Sequence, residues 1–311
     1  MKVLVHIDDA EQWRDALARR LPDAEILTSS APPEQRRQAD YLAVWKPPAS
    51  LLGEPAALKG IVNLGAGVDA LLGNPGLPAD VPIVKLRDAG MAELIGDYVR
   101  YGILHFQRDF DRYRRQQNAR EWREHAVAEK EDWPVGVLGL GAIGAKVAAM
   151  VAADGFPVHG WSRSPKQLDG ITCHHGADGL DALLDRVRTL VLLLPDTPAT
   201  RRIIDARALA RLPEGASLIN PGRGTLIDET ALLAALGPAE GEGRLRGAIL
   251  DAFPEEPLPE ASPLWAHPRV WITPHMAGPT PLGEALDQVA EALRAFETGE
   301  PLDTVDPGAG Y

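Results

Sequence analysis

Short β-rich apolar runs punctuate the first hundred residues, at 2–7, 25–28, 41–45, 60–64 and 82–86. Between several of them the apolar positions fall at helical spacing, as in Trp13, Ala16, Leu17 and Leu21. Alternation of the two periods predicts strands and crossover helices around a parallel sheet. From Ala92 to about Arg123 no proline interrupts a segment in which Leu94, Tyr98, Tyr101, Phe106, Phe110 and Tyr113 recur among arginines and glutamines. This predicts one long helix whose aromatic residues serve core and subunit packing.

A second alternating series follows. Strands are predicted at 135–140, 158–162, 189–194, 217–220, 245–251 and 270–273, with helices at 143–153, near 180–185 and at 228–236. A last helix, 281–297, comes after this series and is expected to cross back to the first domain. The predicted fold class is therefore α/β, with two Rossmann-like or flavodoxin-like lobes, each on a parallel sheet, and an active-site cleft between them. A discontinuous substrate-binding (catalytic) domain spans 1–95 plus 281–311, and an NAD(P)-binding Rossmann domain spans 96–280. The segments 237–244 and 306–311 read as surface turns or a frayed tail.

Composition narrows the partners. The 311 residues are 45% hydrophobic, enough to bury cores in two domains. A net charge of -12 argues against general attraction to nucleic acid or anionic lipid, so an anionic ligand has to be met by local positive charge. Cys173 is the only cysteine, which excludes an internal disulfide and a cysteine-based zinc site; it is expected to be a small buried apolar residue. No metal site is expected. The start "MKVLVHIDDA" turns acidic too soon for a signal peptide, and runs such as 190–194 fall far short of a bilayer span. A reducing cytoplasm is the expected compartment.

The first chemical signature is "VGVLGLGAIG", which places Gly139, Gly141 and Gly144 in G-x-G-x-x-G spacing after an apolar strand and at the opening of an alanine-rich helix. Glycines allow a tight turn and close backbone approach to a pyrophosphate, and the helix N-terminus, at Ala142 and Ile143, offers free N–H groups and a positive dipole end. A site for NAD usually carries Asp or Glu about 20 residues on, to bind the adenosine ribose. Here the second strand ends at Ser162, 18 residues past Gly144, and continues into Arg163, Ser164 and Lys166. A carboxylate repels a ribose 2'-phosphate, whereas hydroxyls donate to it and a guanidinium grips it. The expected cofactor is NADPH, with NADH possible.

Three later stretches each follow a predicted strand. "INPGRGTLID" places Arg223, "LDAFPEEPLP" places Asp251 and Glu256, and "ITPHMAGPT" places His275. In open parallel sheets ligands gather at the carboxyl ends of strands, so the three point toward one crevice.

These motifs, in this order, resemble the D-2-hydroxyacid dehydrogenase family over most of the chain. Within it, "YLAVWKPP", "NLGAGVD", "GWSRSPK" and "SPLWAHPRVWITPH" are most similar to the branch of glyoxylate/hydroxypyruvate reductase A. The resemblance implies reduction of glyoxylate, hydroxypyruvate or a similar 2-oxo acid to the 2-hydroxy acid (glycolate or D-glycerate), preferentially with NADPH. It makes His275 the general acid and Glu256 the partner of its other ring nitrogen; Glu255 is the rival, one place off the motif. A carboxylate beside an imidazole favours the protonated ring. Arg223 matches the arginine that holds the substrate carboxylate and polarises the carbonyl, and its planar fork suits that anion.

The first domain would supply the rest of the substrate site through Trp45 as a wall and Gly65, Ala66 and Gly67 as a backbone nest. Asp251 matches a residue near the nicotinamide amide, and Met91, Leu194, Pro195, Pro221, Ala277 and Gly278 complete the expected cofactor contacts. The lobes are expected to close over the substrate and exclude water. A homodimer is expected, with no nucleic-acid or membrane partner.

Two departures from the family pattern stand out. Pro221 removes a backbone donor beside Arg223 and Gly222 is expected to loosen that turn; Ala252 stands where valine is common. An alternative from another class is a nicotinamide-sensing, corepressor-like protein with the same fold and no significant turnover.

Overall fold

The computed structural model describes residues 1–238 and 243–310, which form two compact units, 1–91 with 280–311, and 92–279. Residues 239–242 of the expected turn at 237–244 and the end of the tail, Tyr311, lie outside the described residues.

The first unit is built on five parallel strands: β1 (Lys2–His6), β2 (Glu25–Thr28), β3 (Tyr41–Val44), β4 (Gly60–Asn63) and β5 (Ile83–Lys85), in the order β2-β1-β3-β4-β5. This is the flavodoxin-like order, whose direction reverses between β1 and β3 and opens a crevice at the carboxyl ends of the strands. β3 and β4 are buried at every position because helices cover both faces, so they read in sequence as unbroken apolar runs. The helices are α1 (Ala10–Arg20), the single turns α2 (Pro33–Arg36), α3 (Ala49–Leu52) and α4 (Asp69–Leu72), and a late arrival, α11 (Leu282–Thr298). α11 lies against α1, where Arg20 reaches Asp287 at 2.5 Å, and beneath β4, where a Cβ on Gly60 would come within 2.7 Å of the Phe296 ring. The last helix thus belongs to the first unit.

The second unit carries seven parallel strands in the order β12-β11-β10-β9-β6-β7-β8: β6 (Val135–Leu138), β7 (Val158–Ser162), β8 (Ile171–His175), β9 (Thr189–Leu192), β10 (Ser217–Asn220), β11 (Gly247–Leu250) and β12 (Val270–Ile272). The switch point lies between β6 and β9, the doubly wound arrangement of dinucleotide-binding sheets with one further strand. β8 is absent from the sequence reading. It is an edge strand with two exposed side chains, and Ile171 is its one large apolar residue, so it leaves little periodic signal. Cys173, expected to be buried, is only half-buried there for the same reason.

Helices α7 (Ala142–Ala153), α8 (Gly176–Leu184), α9 (Ala206–Arg211) and α10 (Glu229–Leu236) connect these strands. α9 and α10 are capped by Asp205 and Asp228, whose carboxylates accept from the N–H three residues on. The single helix expected over 92–123 is two, α5 (Met91–Gln107) and α6 (Phe110–Ala119), followed by irregular chain from Arg120 to Glu129. The break comes at Asp109, which has a φ of +58°. There Arg246, from β11's approach, donates to Asp109 at 2.6 Å and to Asp111 at 3.0 Å, and all three side chains are buried to within 8–9% exposure. A partner more than a hundred residues away sets this kink, and no local propensity reports it.

Among the described residues no helix is long and apolar enough to cross a membrane, and no cluster of three or more His, Cys, Asp or Glu is placed to hold a metal ion.

Two consequences for stability follow from the second unit. Arg246→Met removes the buried cation of Asp109 and Asp111, leaving them only the exposed Arg112 and Arg115, and is expected to lower the free energy of unfolding in denaturant by about 3–5 kcal/mol, the scale of a broken buried ion pair. The second concerns His159 on β7 and His174 on β8, stacked with their Nδ1 and Nε2 3.0 Å apart. Burial, with the neighbouring Arg186, holds both imidazoles below their ordinary value of 6.5. Protons therefore bind the unfolded chain more tightly, so this contribution is complete above about pH 6.5 and is lost as pH falls through the lowered values. Thermal midpoints measured from pH 7.5 to pH 5 should fall less steeply in His174→Gln than in the parent.

Candidate active site

The glycine loop after β6 is built by close approaches. Gly139 has a φ of +103°, and a Cβ there would lie 2.5 Å from the Leu193 carbonyl, so the loop crosses the end of β9 in contact with its backbone. At Gly144 a Cβ would fall 1.8 Å from the Gly139 carbonyl, which is how α7 starts so tightly against β6. Gly141 differs: a Cβ would meet nothing within 4 Å. Its side faces open space, and with Gly141 and Ala142 exposed and Ile143 half-buried, the start of α7 presents backbone N–H groups to solvent. These three glycines match what a pyrophosphate-binding turn needs, namely the turn itself, room for the ligand, and helix-to-strand contact.

Beyond β7 the basic turn is ordered by its own hydrogen bonds. Ser162 is 8% exposed, and its hydroxyl donates to the Ser164 carbonyl at 2.8 Å, so it shapes the turn rather than presenting its proton outward. Arg163, Ser164 and Lys166 are exposed. The Lys166 ammonium donates to the Leu140 carbonyl at 2.5 Å, which places a positive charge on the glycine loop itself. The turn and the loop form one electropositive, donor-rich edge suited to an adenosine ribose that carries a phosphate.

At the same end of the sheet stand the loops after β10, β11 and β12, which are adjacent strands. The first carries Arg223, half-buried. Asn220, the last residue of β10 and fully buried, accepts from the Gly222 N–H at 3.2 Å and donates to the Arg223 carbonyl at 2.9 Å. Gly222 is not the loose position expected from its neighbours in sequence. It is buried, pinned by Asn220, and has no space for a Cβ, which would lie 2.7 Å from the Leu192 carbonyl. At Gly224 a Cβ would fall 2.0 Å from the Phe253 backbone, so the arginine turn rests directly on the loop that leads to Glu256.

Both carboxylate oxygens of Glu256 lie against Nδ1 of His275, at 2.8 and 2.9 Å, and one of them also accepts from the Phe253 N–H at 3.1 Å. Glu256, not Glu255, is the partner. A carboxylate only accepts, so Nδ1 carries the proton of this bond, and exchange with a ligand falls to Nε2. His275 sits at a φ of +52°, a conformation that a side chain with a Cβ adopts at some cost.

Asp251 holds it there. This residue is 0% exposed; its carboxylate accepts from the Thr273 hydroxyl at 2.6 Å and from the N–H groups of Met276 and Ala277 at 2.9 Å each, and its carbonyl accepts from the His275 N–H at 2.8 Å. Thr273 spends its proton on Asp251, so the Tyr98 phenol, whose ionisation burial pushes upward, donates to Thr273 at 2.7 Å. Asp251 is thus the template of the histidine loop. Ala277 is 2% exposed, while Gly278 is half-buried and Met276 is open to solvent. Leu194 and Pro221 are buried, and the Pro195 carbonyl accepts from the Thr200 hydroxyl at 2.6 Å.

In the first unit Trp45 and the loop 65–67 come together at the carboxyl ends of β3 and β4: a Cβ on Gly65 would lie 2.3 Å from Cζ3 of the Trp45 ring. Met91 is 4% exposed, with its sulfur 3.8 Å from the Thr280 hydroxyl. The residues that sequence reasoning passed over are Asn63, Tyr98, Asn220 and Thr273. The two asparagines had a visible signal, since each ends an apolar strand directly before a glycine-containing turn; Tyr98 and Thr273 had none.

Residues 101–277 match the model of the D-isomer specific 2-hydroxyacid dehydrogenase NAD binding domain. Over 97% of both chains the protein is 43% identical to glyoxylate/hydroxypyruvate reductase A of Serratia proteamaculans, and 41% identical to that of Photorhabdus laumondii. Among solved structures, it is similar to a D-isomer specific 2-hydroxyacid dehydrogenase from Xanthobacter autotrophicus in complex with NADPH and MES, with a TM-score of 0.91 and 39% identity over 99% of each chain. An NADPH-dependent glyoxylate/hydroxypyruvate reductase from Sinorhizobium meliloti, in complex with NADP and sulfate, gives a TM-score of 0.90 at 36% identity, covering 100% of this chain and 99% of that one. Two parallel sheets of these topologies, a glycine loop with an open second glycine and a glutamate-paired histidine accompany identity along the whole length: the chain belongs to the D-isomer specific 2-hydroxyacid dehydrogenase family.

Proposed function

We propose that this protein reduces small 2-oxo acids, glyoxylate and hydroxypyruvate foremost, with NADPH as the reductant. The observation that carries the reading is the bond of Nδ1 of His275 to both oxygens of Glu256, on strand-end loops adjacent to Arg223. Relatives named as glyoxylate/hydroxypyruvate reductase A support the substrate class, and relatives in complex with NADPH or NADP support the cofactor. We assign the unit 92–279 to the dinucleotide and the unit 1–91 with 280–311 to the substrate.

A dinucleotide held there would supply the hydride that the carbonyl carbon takes up. Gly139, Gly141, Gly144 and the first N–H groups of α7 receive its pyrophosphate, and Arg163, Ser164 and Lys166 the ribose phosphate. Leu194, Pro195, Pro221, Ala277, Gly278 and Met91 are assigned to the walls of that site. Arg223 holds the substrate carboxylate and stabilises charge as it grows on the carbonyl oxygen. His275 delivers a proton from Nε2 to that oxygen, which completes the hydroxy acid. Glu256 keeps the ring oriented and balances its charge before transfer. Asp251 acts through the loop that it holds. Trp45 and the N–H groups of Gly65, Ala66 and Gly67 form the remaining substrate contacts.

A homodimer in the cytoplasm fits this reading. Leu94, Tyr101, Leu104, Phe110, Tyr113, Trp122 and Trp271 are large apolar side chains left exposed in one unit, Trp122 completely. Six of them lie on α5, α6 and the segment after them, and Trp271 on β12 meets Tyr101 edge-on at 5.4 Å; exposed apolar side chains of this kind are what an isologous contact would cover.

Steady-state oxidation of NADPH and NADH with glyoxylate, hydroxypyruvate, pyruvate and a bulky phenyl analogue tests the function. Turnover with the first two and a lower KM for NADPH than for NADH are expected. In Arg223→Gln and His275→Gln, kcat should fall about a hundredfold or more, the scale of a lost transition-state donor or acid. Cofactor binding without multiple turnover would instead establish a nicotinamide-sensing protein. For assembly, sedimentation velocity should give a dimer that Tyr101→Glu combined with Trp271→Glu converts to monomer; an unchanged sedimentation coefficient would remove this face from the interface.

A further inference from the structure

We propose that Asn63 is the positioning residue of the nest that receives the substrate carboxylate, and that Thr280 completes its action. The inference rests on the function proposed above and identifies what aims the donors of that nest.

Asn63 is the last residue of β4 and is 1% exposed. Its Nδ2 donates both protons to the loop that follows, one to the Gly65 carbonyl at 2.8 Å and one to the Gly67 carbonyl at 2.9 Å. The preceding carbonyl, of Leu64, accepts from the Thr280 hydroxyl at 3.2 Å. Three carbonyls of a four-residue stretch are therefore each turned toward a side-chain donor. In a trans peptide the C=O and the next N–H point in opposite directions. Fixing the carbonyls of Leu64 and Gly65 consequently aims the N–H groups of Gly65 and Ala66 away from those donors. Among the described residues neither N–H has a protein acceptor.

Unpaired main-chain donors beside a buried strand end cost free energy unless water or a ligand takes them, and successive donors aimed together make an anion site. The Trp45 ring fixes the loop from another side, since Gly65 lies too close to it to carry a Cβ. Ala66 and Gly67 remain half-exposed, so an anion can reach the nest. Asn63 has the right chemistry for this task and its isostere does not. Aspartate at this position would put an oxygen against two carbonyl oxygens and release both.

Asn63→Asp, Asn63→Ser and Thr280→Val are to be compared with the parent in three measurements: KM and kcat for glyoxylate, Kd for NADPH by fluorescence, and Ki or calorimetric Kd for oxalate in the presence of NADPH. In Asn63→Asp and Asn63→Ser, KM for glyoxylate and the oxalate constant should rise about tenfold or more, the scale of one lost charge-assisted hydrogen bond. Kd for NADPH should stay within a factor of two, roughly the spread expected when no contact changes. Thr280→Val should show the same selective pattern at smaller size, and it carries the test should both Asn63 variants fail to fold. Unchanged glyoxylate KM and oxalate binding in a folded variant would overturn the proposal. So would a parallel loss of NADPH and oxalate binding with thermal stability, which marks a merely structural residue. Should the parent not turn over 2-oxo acids at all, the proposed function fails by itself, and the oxalate titration still decides the role of Asn63.

Discussion

Much of the candidate chemistry hangs on one buried carboxylate. Asp251, directly after β11, has no solvent exposure and satisfies its oxygens on Thr273, Met276 and Ala277, while its own carbonyl receives the His275 N–H. A buried charge without such donors would be costly, and the donors available are the backbone of the loop that it has to shape. The result is a histidine held in the left-handed region with Nδ1 against Glu256. Local backbone strain persists where its surroundings over-determine it, and here four hydrogen bonds do so.

The same device recurs at other strand ends. Asn220 takes the Gly222 N–H and the Arg223 carbonyl, and Asn63 takes the carbonyls of Gly65 and Gly67. In each case a buried polar side chain at the carboxyl end of a parallel strand spends its hydrogen bonds on the turn that follows it. Parallel sheets covered by helices keep these ends dry, which strengthens each bond and leaves few alternative partners. Buried polar residues thereby fix the direction of the turns that carry the candidate site residues. Glycines add to the precision by contact rather than freedom: at 144, 222 and 224 the missing Cβ is space already occupied by another stretch of backbone.

Electrostatics follow the same division between local and global. The chain carries a net charge of -12, yet the turn after β7 and the glycine loop gather Arg163 and Lys166 at one sheet end. An anionic ligand at that edge would meet a local field set against the overall sign, which favours a specific ligand over polyanions in general. Ser162 contributes to this by folding the turn, a role that its hydroxyl performs toward Ser164.

Most of this was legible in the chain itself. Apolar runs closed by Asn220 and Leu250 announce buried parallel strands, and parallel strands carry their following loops at one end; the order of the loops bearing Arg223, Glu256 and His275 then follows from chain order alone. The glycine spacing is likewise a local matter, because the turn, the open second glycine and the tight helix start lie within a few residues of one another. Tertiary structure alone decided what distant groups do to each other. It broke the helix expected over 92–123 at Asp109, since Arg246 arrives there from another strand. It made Gly222 rigid, chose Glu256 over Glu255, and recruited Tyr98 and Thr273 behind His275. Periodicity reports which face of an element is buried, whereas the partner of a buried polar group is fixed only when separate elements pack, and that pairing leaves no pattern in the sequence.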